Sequence, residues 1–343
     1  MMRPKTVKGE QMRIPGHAHF VTLGMAALVG LLGAPLAASA AQAATIDCLI
    51  INHATGARYH NLQAAQDAAT AGATLWVRGT CTGTTQVSKH LTITGQQAVG
   101  FGAPTLDGKL RGAVLTIGSG ITVTVNKLTI TGGKSIFGGG IDNSGTLTVN
   151  DSRITGNVGH NTGDGGGIFN GGTLTLDSSS VTRNTLSGGI FNGGTLTLDS
   201  SRVAGNTTNT YGGGIYNDFG TVALNDGSSI TDNTALGHFG GGVFNYGGTL
   251  TLDSSSITGD TAGSDGGGIF NVGVVTLKDG STMTGNTAGS DGGGIYNDTG
   301  SVTLDKSSIT GNTAGSDGGG IYNLATLTLN SSSVTGNLPD DIS

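Results

Sequence analysis

Charge, aromatic residues and proline are all scarce in this chain: 11% of residues are charged, 5% are aromatic, and 5 of 343 are proline. No tract of like charges marks a nucleic-acid or membrane-surface patch. Glycine is abundant at 65 residues, but Gly-X-Y periodicity is absent, which excludes collagen. Few aromatic and charged residues would also fit disorder. Against that, 35% of residues are hydrophobic and recur in short alternating runs, a pattern that can bury a core. The only cysteines are Cys48 and Cys81, fewer ligands than a metal site needs. Past residue 43 no apolar stretch is long enough to span a bilayer.

The one long apolar run is N-terminal. Arg3, Lys5, Lys8 and Arg13 precede FVTLGMAALVGLLGAPLA, and small-residue sites follow, ending at Ala40 (Ala-Ser-Ala) or Ala43 (Ala-Gln-Ala). This reads as a secretory signal peptide over residues 1–43, with Met12 as a candidate start. The competing reading, a permanent membrane anchor, is opposed by the Gly and Pro in the run and by its cleavage-like end. Without residues 1–43 the chain has 12 basic and 21 acidic residues, a balance of −9. An acidic exported chain is a poor binder of nucleic acid. The expected location is secreted or at the cell surface. In an oxidising compartment an even cysteine pair is expected to close, here as Cys48–Cys81.

What is present is a repeat. GSDGGGIYN occurs at 289–297 and 315–323, and GSDGGGIFN at 263–271. Alignment on the glycine run gives eight copies, with Ile141, Ile168, Ile190, Ile215, Val243, Ile269, Ile295 and Ile321 after it, at intervals of 27, 22, 25, 28, 26, 26 and 26 residues. Each copy holds three short alternating segments, such as GGGIFN, GTLTLDSSS and ITGDTAGSD, closed by Asn, Asp, Gly or Ser. A leucine-rich repeat would need a richer leucine framework, a calcium β-roll tandem nonamers, and a propeller blade a longer period. One coil of a parallel β-helix per repeat remains. The glycines then permit tight turns and close approach of neighbouring coils. Two columns follow the same period: Asn143, Asn170, Asn192, Asn217, Asn245, Asn271, Asn297, Asn323, and Asn157, Asn184, Asn206, Asn233, Asp260, Asn286, Asn312, Asn337. Both are expected to be corner ladders, since Asn tolerates the left-handed conformation and its amide can bond to the next coil.

GGGI(F/Y)N with GTLTL and SS(I/V)TGNTA resembles the polymorphic outer membrane protein repeat of the right-handed β-helix, pectin-lyase-like superfamily, over roughly residues 91–343. LQAAQDAATAGATLWVRGTCTG, followed by HLTITG, resembles the N-terminal cap of that superfamily. Asn61 would cap a short helix whose Leu62, Ala65 and Ala69 shield the first coil. The expected fold is therefore all-β: a single-stranded right-handed parallel β-helix with three short strands per coil and a small helix-containing cap. The expected layout is a signal peptide at 1–43, the cap with its disulfide at 44–90, and the repeat domain at 91–343. No C-terminal membrane barrel and no sorting signal in PDDIS are evident, so outer-membrane location is not carried over.

Enzymes of that superfamily act on acidic polysaccharides. Their hydrolase motifs are reduced here to Gly237-His238-Phe239, and both Arg-x-Lys and the lyase Arg-x-Pro-x-x-Arg are missing. Past residue 140 the basic side chains are Arg153, Arg183, Arg202, Lys278 and Lys306, besides His160 and His238. No catalytic residue is assigned and no cofactor is required, and the question of enzyme activity stays open. Function is expected where the repeat breaks. The turn before GGGI varies most, which places His160, Tyr211, His238 and Phe239 on one candidate ligand edge. The expected role is an adhesive, glycan-contacting surface or matrix protein whose partner is cell-surface or matrix polysaccharide. A polysaccharide-active lyase or hydrolase is the alternative.

Other columns invite readings too. In GTLTL the leucines point in and the threonines out, as Thr146, Thr173, Thr195, Thr221, Thr249, Val274, Ser301, Thr326 and Thr148, Thr175, Thr197, Ala223, Thr251, Thr276, Thr303, Thr328. This resembles the Thr-x-Thr lattice of β-helical ice-binding proteins and makes ice binding a third reading. Phe169, Phe191, Tyr216, Phe244, Phe270, Tyr296 and Tyr322 point outward by alternation, unless a corner tucks them in. Asp265, Asp291 and Asp317 fall on successive coils and are a candidate Ca²⁺ site. Lys278 is expected between Asp253 and Asp305, relieving their repulsion.

Overall fold

The computed structural model describes residues 47–160 and 164–343; the expected signal peptide lies outside the described residues. The chain forms a parallel β-helix. In the coil that follows Gly242, for example, strands run Val243–Tyr246, Thr249–Asp253, Ser256–Thr258 and Thr261–Ala262. The first strand of each coil joins a ten-stranded sheet, called here the aromatic sheet; the second and third form the threonine sheet and the third sheet. Between successive coils the strands pair in parallel and one-to-one, as in Ile269↔Ile295, Leu252↔Leu277 and Ile257↔Met283.

Alternation decides what is inside. In Thr249–Asp253, Leu250 and Leu252 are fully buried while Thr249 is exposed. Each coil thus stacks four apolar side chains on the same four of its neighbours: Ile141, Leu147, Val149 and Ile154 under Ile168, Leu174, Leu176 and Val181, all with no solvent exposure. Burying one such side chain contributes about 1.5–3 kcal/mol. No coil has a core of its own, so the stack is stable only as a stack.

The corners carry three expectations further. Gly292 sits at φ +67° and starts the turn, and a Cβ on Gly293 would collide with the Gly319 carbonyl oxygen and Thr313 backbone of the next coil. The asparagines, however, are not the left-handed residues. Those are Asp151, Ser178, Ser200, Asp226, Ser254, Asp279, Lys306 and Ser331, one position past the threonine-sheet strand, at φ 47–53°. The asparagines stand for their side chains alone. A fourth strand is the other departure: five coils add a two-residue strand, from Thr207–Thr208 to Thr313–Ala314. Gly259 at φ +69° breaks the segment ITGDTAGSD into two strands at a left-handed corner.

At the N-terminal end Cys48–Asn52 pairs antiparallel with Ala73–Thr82. Between them lies the helix Leu62–Ala68, whose N-cap Asn61 accepts a hydrogen bond from the Ala64 N–H at 2.7 Å. Leu62, Ala65 and Ala69 are buried as expected, and Gln66 joins them by accepting from the Ser88 N–H and hydroxyl. Cys48 and Cys81 form the expected disulfide, with Cα atoms 4.7 Å apart. Among the described residues no helix is long and apolar enough to cross a membrane.

Candidate functional site

Most polar positions of a coil are committed to holding the next coil. Each asparagine of the first ladder donates its Nδ2–H to Oδ1 of the next, from Asn143→Asn170 to Asn297→Asn323, at 2.7–2.9 Å. The second ladder runs Asn157→Asn184→Asn206→Asn233→Asp260 and Asn286→Asn312→Asn337, and ends on the Asp341 carboxylate. A third ladder escaped the sequence reading: Ser152 N–H donates to Ser179 Oγ, Ser179 N–H to Ser201 Oγ, Ser201 N–H to Ser228 Oγ. The signal was an unvarying serine two or three residues past the TLTLD-type strand, easily taken for turn chemistry.

Asp260 is the defect in this order. It is fully buried among asparagines, and its Oδ2 has no hydrogen-bond partner. Burial pushes its carboxyl up to about 8, only partly opposed by the Asn233 backbone and side-chain donors.

The free surface begins at the aromatic column. It does face outward, as a continuous run of ring contacts from Phe137 through Phe169, Phe191, Tyr216, Phe244, Phe270, Tyr296 and Tyr322, with centroids 4.9–5.3 Å apart, edge-on around Tyr216 and between Phe137 and Phe169 and stacked elsewhere. Each ring is thus packed against its neighbours, and the column itself offers little to a ligand. The exception lies at the coils of Ile215 and Val243. There Tyr211 stacks on Phe244 at 4.9 Å and lies 5.1 Å from His238 and 5.8 Å from Phe239, while Phe239 stacks on Phe270 at 4.6 Å. This second layer is why Phe244 and Phe270 are buried while the other rings are half-exposed. On the opposite border of the sheet Phe219, 72% exposed, meets Tyr246, 42% exposed, at 5.3 Å. Leu236 adds a further exposed apolar side chain, at 55%.

Three of the four expected edge residues therefore come together. His160 is exposed on an earlier coil, where its carbonyl accepts the Ser187 hydroxyl, and ring contacts do not join it to the cluster. Sequence reasoning missed Phe219 and Tyr246 because they follow IYN and FN, at the far end of the strand, and do not precede GGG. The local field is negative: burial, then Asp218 and Asp164, push the Tyr216 hydroxyl up to about 12, and burial with Asp265, Asp298 and Asp291 raises that of Tyr296. Neither tyrosine is a base at ordinary pH.

Asp265, Asp291 and Asp317 do stand on successive coils, but their carboxylates face backbone. Asp265 Oδ1 accepts the Asp291 N–H at 3.1 Å, and Asp291 Oδ1 the Asp317 N–H at 3.0 Å. Among the described residues no three His, Cys, Asp or Glu side chains gather as a metal group. Lys278 sits between Asp253 and Asp305 in the strand register, yet its ammonium pairs with Asp253 and with Asp279 on its own coil. The Lys278 hydrogen bond holds the Asp253 carboxyl below its usual range.

Set against known proteins, residues 280–298 and 306–324 match the family model of the Chlamydia polymorphic membrane protein (Chlamydia_PMP) repeat. Both segments lie in the C-terminal coils and together are a small share of the chain. Neither a search of curated proteins nor one of solved structures returns a match.

Proposed function

We propose that the protein is an exported, non-catalytic β-helix of a surface or matrix, which contacts cell-surface or matrix polysaccharide through aromatic side chains on both borders of the aromatic sheet, Tyr211, His238 and Phe239 on one and Phe219 and Tyr246 on the other. The observation that carries this reading is that clustering. At the coils of Ile215 and Val243, where the repeat interval lengthens to 28 residues, aromatic side chains crowd both borders of the sheet, and Phe219 and Tyr246 stand exposed. Patches of this kind on a soluble surface mark interaction sites. Ring faces suit the C–H faces of sugars, and a rigid solenoid positions its corner loops for recognition.

The similarity to a membrane-protein repeat and the leader-like residues 1–43 support a surface location. The β-helix with a helix-bearing cap supports placement in the pectin-lyase-like superfamily. The carboxylates around Tyr216 and Tyr296 select among glycans: they repel uronates and favour neutral or amino sugars. The same field opposes the alternative, an enzyme on acidic polysaccharide. Glycan arrays and cell-binding assays on the exported protein test the proposal. Binding to neutral or amino-sugar polymers that is lost in Phe219→Ala and Tyr246→Ala variants supports it. No signal above a scrambled control overturns it, and product release from pectin or alginate that disappears in His160 and His238 variants replaces it with the enzyme.

A further inference from the structure

The threonine sheet presents a second surface, independent of the aromatic edge. Among the eight repeat copies coil length varies from 22 to 28 residues, yet this sheet never slips: within them Thr173↔Thr195 spans the shortest interval and Thr221↔Thr249 the longest. All insertions are absorbed in the corners. Outward side chains therefore stand directly above one another in two columns, and the second column extends through Thr124 and Thr92 to Thr74. The two interruptions, Ala223 and Val274, fall on different coils, so each coil keeps at least one hydroxyl, from Thr221 and Thr276. The first column is exposed or nearly so and the second half-exposed. Among the described residues none of these hydroxyls has a hydrogen-bond partner within the protein. Every donor and acceptor of the array is left to water.

The spacing suits one kind of water. Strands of a parallel sheet lie about 4.8 Å apart, and alternate residues along a strand about 6.6 Å apart. Two O–H···O bonds of about 2.75 Å meeting at a tetrahedral angle put their outer oxygens about 4.5 Å apart. The spacing therefore leaves room for a single tetrahedral water to bridge each hydroxyl to the next in its column, at the same register along the whole sheet. Threonine is β-branched and stiff at χ1, so the rank holds its shape. Its methyl offers the waters no competing hydrogen-bond partner. Liquid water must be ordered to fill such a lattice, whereas water in a crystal already has that order.

The third sheet has an outward threonine row of its own, from Thr155 and Thr182 to Thr335, interrupted at Ala204. Its companion row, however, carries Arg153 and Arg202 beside Ser180 and Ser229, and the Thr182 hydroxyl donates to Thr155, so that sheet lacks the double, unbonded hydroxyl array of the threonine sheet. On the threonine sheet a third outward column, of Asn, Asp and Lys278, borders the two threonine columns on one side and does not interrupt them.

We propose that the outer face of the threonine sheet binds ice. The test uses the full exported chain in two measurements, thermal hysteresis and inhibition of ice recrystallisation. The expected result is a gap between melting and growth temperatures with suppressed recrystallisation. Both should be lost in the Thr197→Lys/Thr251→Lys variant and kept in Thr258→Lys, which lies on the third sheet. Unchanged melting curves of the variants confirm that folding is intact. Absence of both activities in the unaltered protein overturns the proposal, as does equal loss in Thr258→Lys.

Discussion

Replacing Asp260 by asparagine should make the protein more stable, and by an amount that depends on pH. In the second ladder each Nδ2 does two things: Asn233 donates to Asp260 Oδ1 and to the Val203 carbonyl, and Asn286 donates to Asn312 and to the Ile257 carbonyl. Asp260 carries an oxygen where these residues carry an amide. Gly242 packs against its Oδ2 as Gly214 packs against Asn233 Nδ2. The Asn286 Oδ1 that should receive the missing donor accepts only the Asp260 backbone N–H, at 2.9 Å. An ionised carboxylate here would set a buried charge against that acceptor, so the folded state retains a proton. Asp232 adds like-charge repulsion to the burial that drives this.

The magnitude follows from the displacement of the carboxyl from 3.8 to about 8. Between those values the folded chain binds more protons than the unfolded one. The contribution of Asp260 to stability is then most favourable below pH 3.8, falls as pH rises, and flattens above about 8. At 1.36 kcal/mol per pH unit, the loss at pH 7 is on the order of 4 kcal/mol. Asp260→Asn removes this dependence and adds hydrogen bonding worth about 1 kcal/mol at any pH. Unfolding of both proteins in urea, repeated from pH 4 to pH 8, would show the gap widening with pH, and hydrogen exchange would place it in the coils around Asn233 and Asn286. A gap that is constant with pH, or a variant less stable than its parent, would refute the reasoning.

The Cys48–Cys81 disulfide closes a 33-residue separation, so replacing both cysteines by serine should cost the N-terminal cap about 4 kcal/mol, and neither sulfur should react with maleimide before reduction. Gly293→Ala forces a methyl into the backbone of the following coil and should destabilise by about 1–3 kcal/mol, read as a lowered melting temperature. Because Asp265 and Asp291 already accept backbone N–H groups from the next coil, calcium added after chelation should leave the melting curve unchanged. An upward shift would instead assign those carboxylates to a cation.

The solenoid was legible because one coil repeats the same physical problem eight times. Alternation in TLTLD separates Leu250 and Leu252 from Thr249 without ambiguity, and a fixed asparagine after GGGI(F/Y) marks a place where every coil needs the same bond. What that bond is was also readable, but the backbone around it was not. Asparagine suits a left-handed corner and a side-chain ladder equally well, and only the φ of Asp279 and Lys306 shows that the corner lies elsewhere. Serine suffers the same ambiguity: a turn former in the sequence, Ser201 is a buried acceptor in the fold. The site was harder still. Period-two alternation says that Phe270 points outward, but not that Phe239 from the preceding turn will fold over it. Contacts between corners depend on loop paths, which no periodicity encodes.

The fold also limits where function can reside. Inward positions are filled by the apolar stack, and three corner positions per coil are spent on asparagine and serine ladders whose loss would leave buried polar groups unsatisfied. Nearly all sequence identity between coils is accounted for by those needs. Two groups of residues remain outside them. The corner insertions that carry Tyr211, Phe219, His238 and Phe239 vary although nothing in the stack requires variation. The outward threonines of the threonine sheet recur in nearly every coil although, among the described residues, none of their hydroxyls bonds to the protein. Variation confined to a few corners suits recognition of a shaped ligand, and near-constancy spread over a flat face suits a periodic one. A coil-by-coil exchange of residues between the two surfaces should therefore separate their activities: grafting TLTLD strands elsewhere in the stack would preserve ice binding, and moving the Tyr211–Phe239 corner would move glycan binding with it.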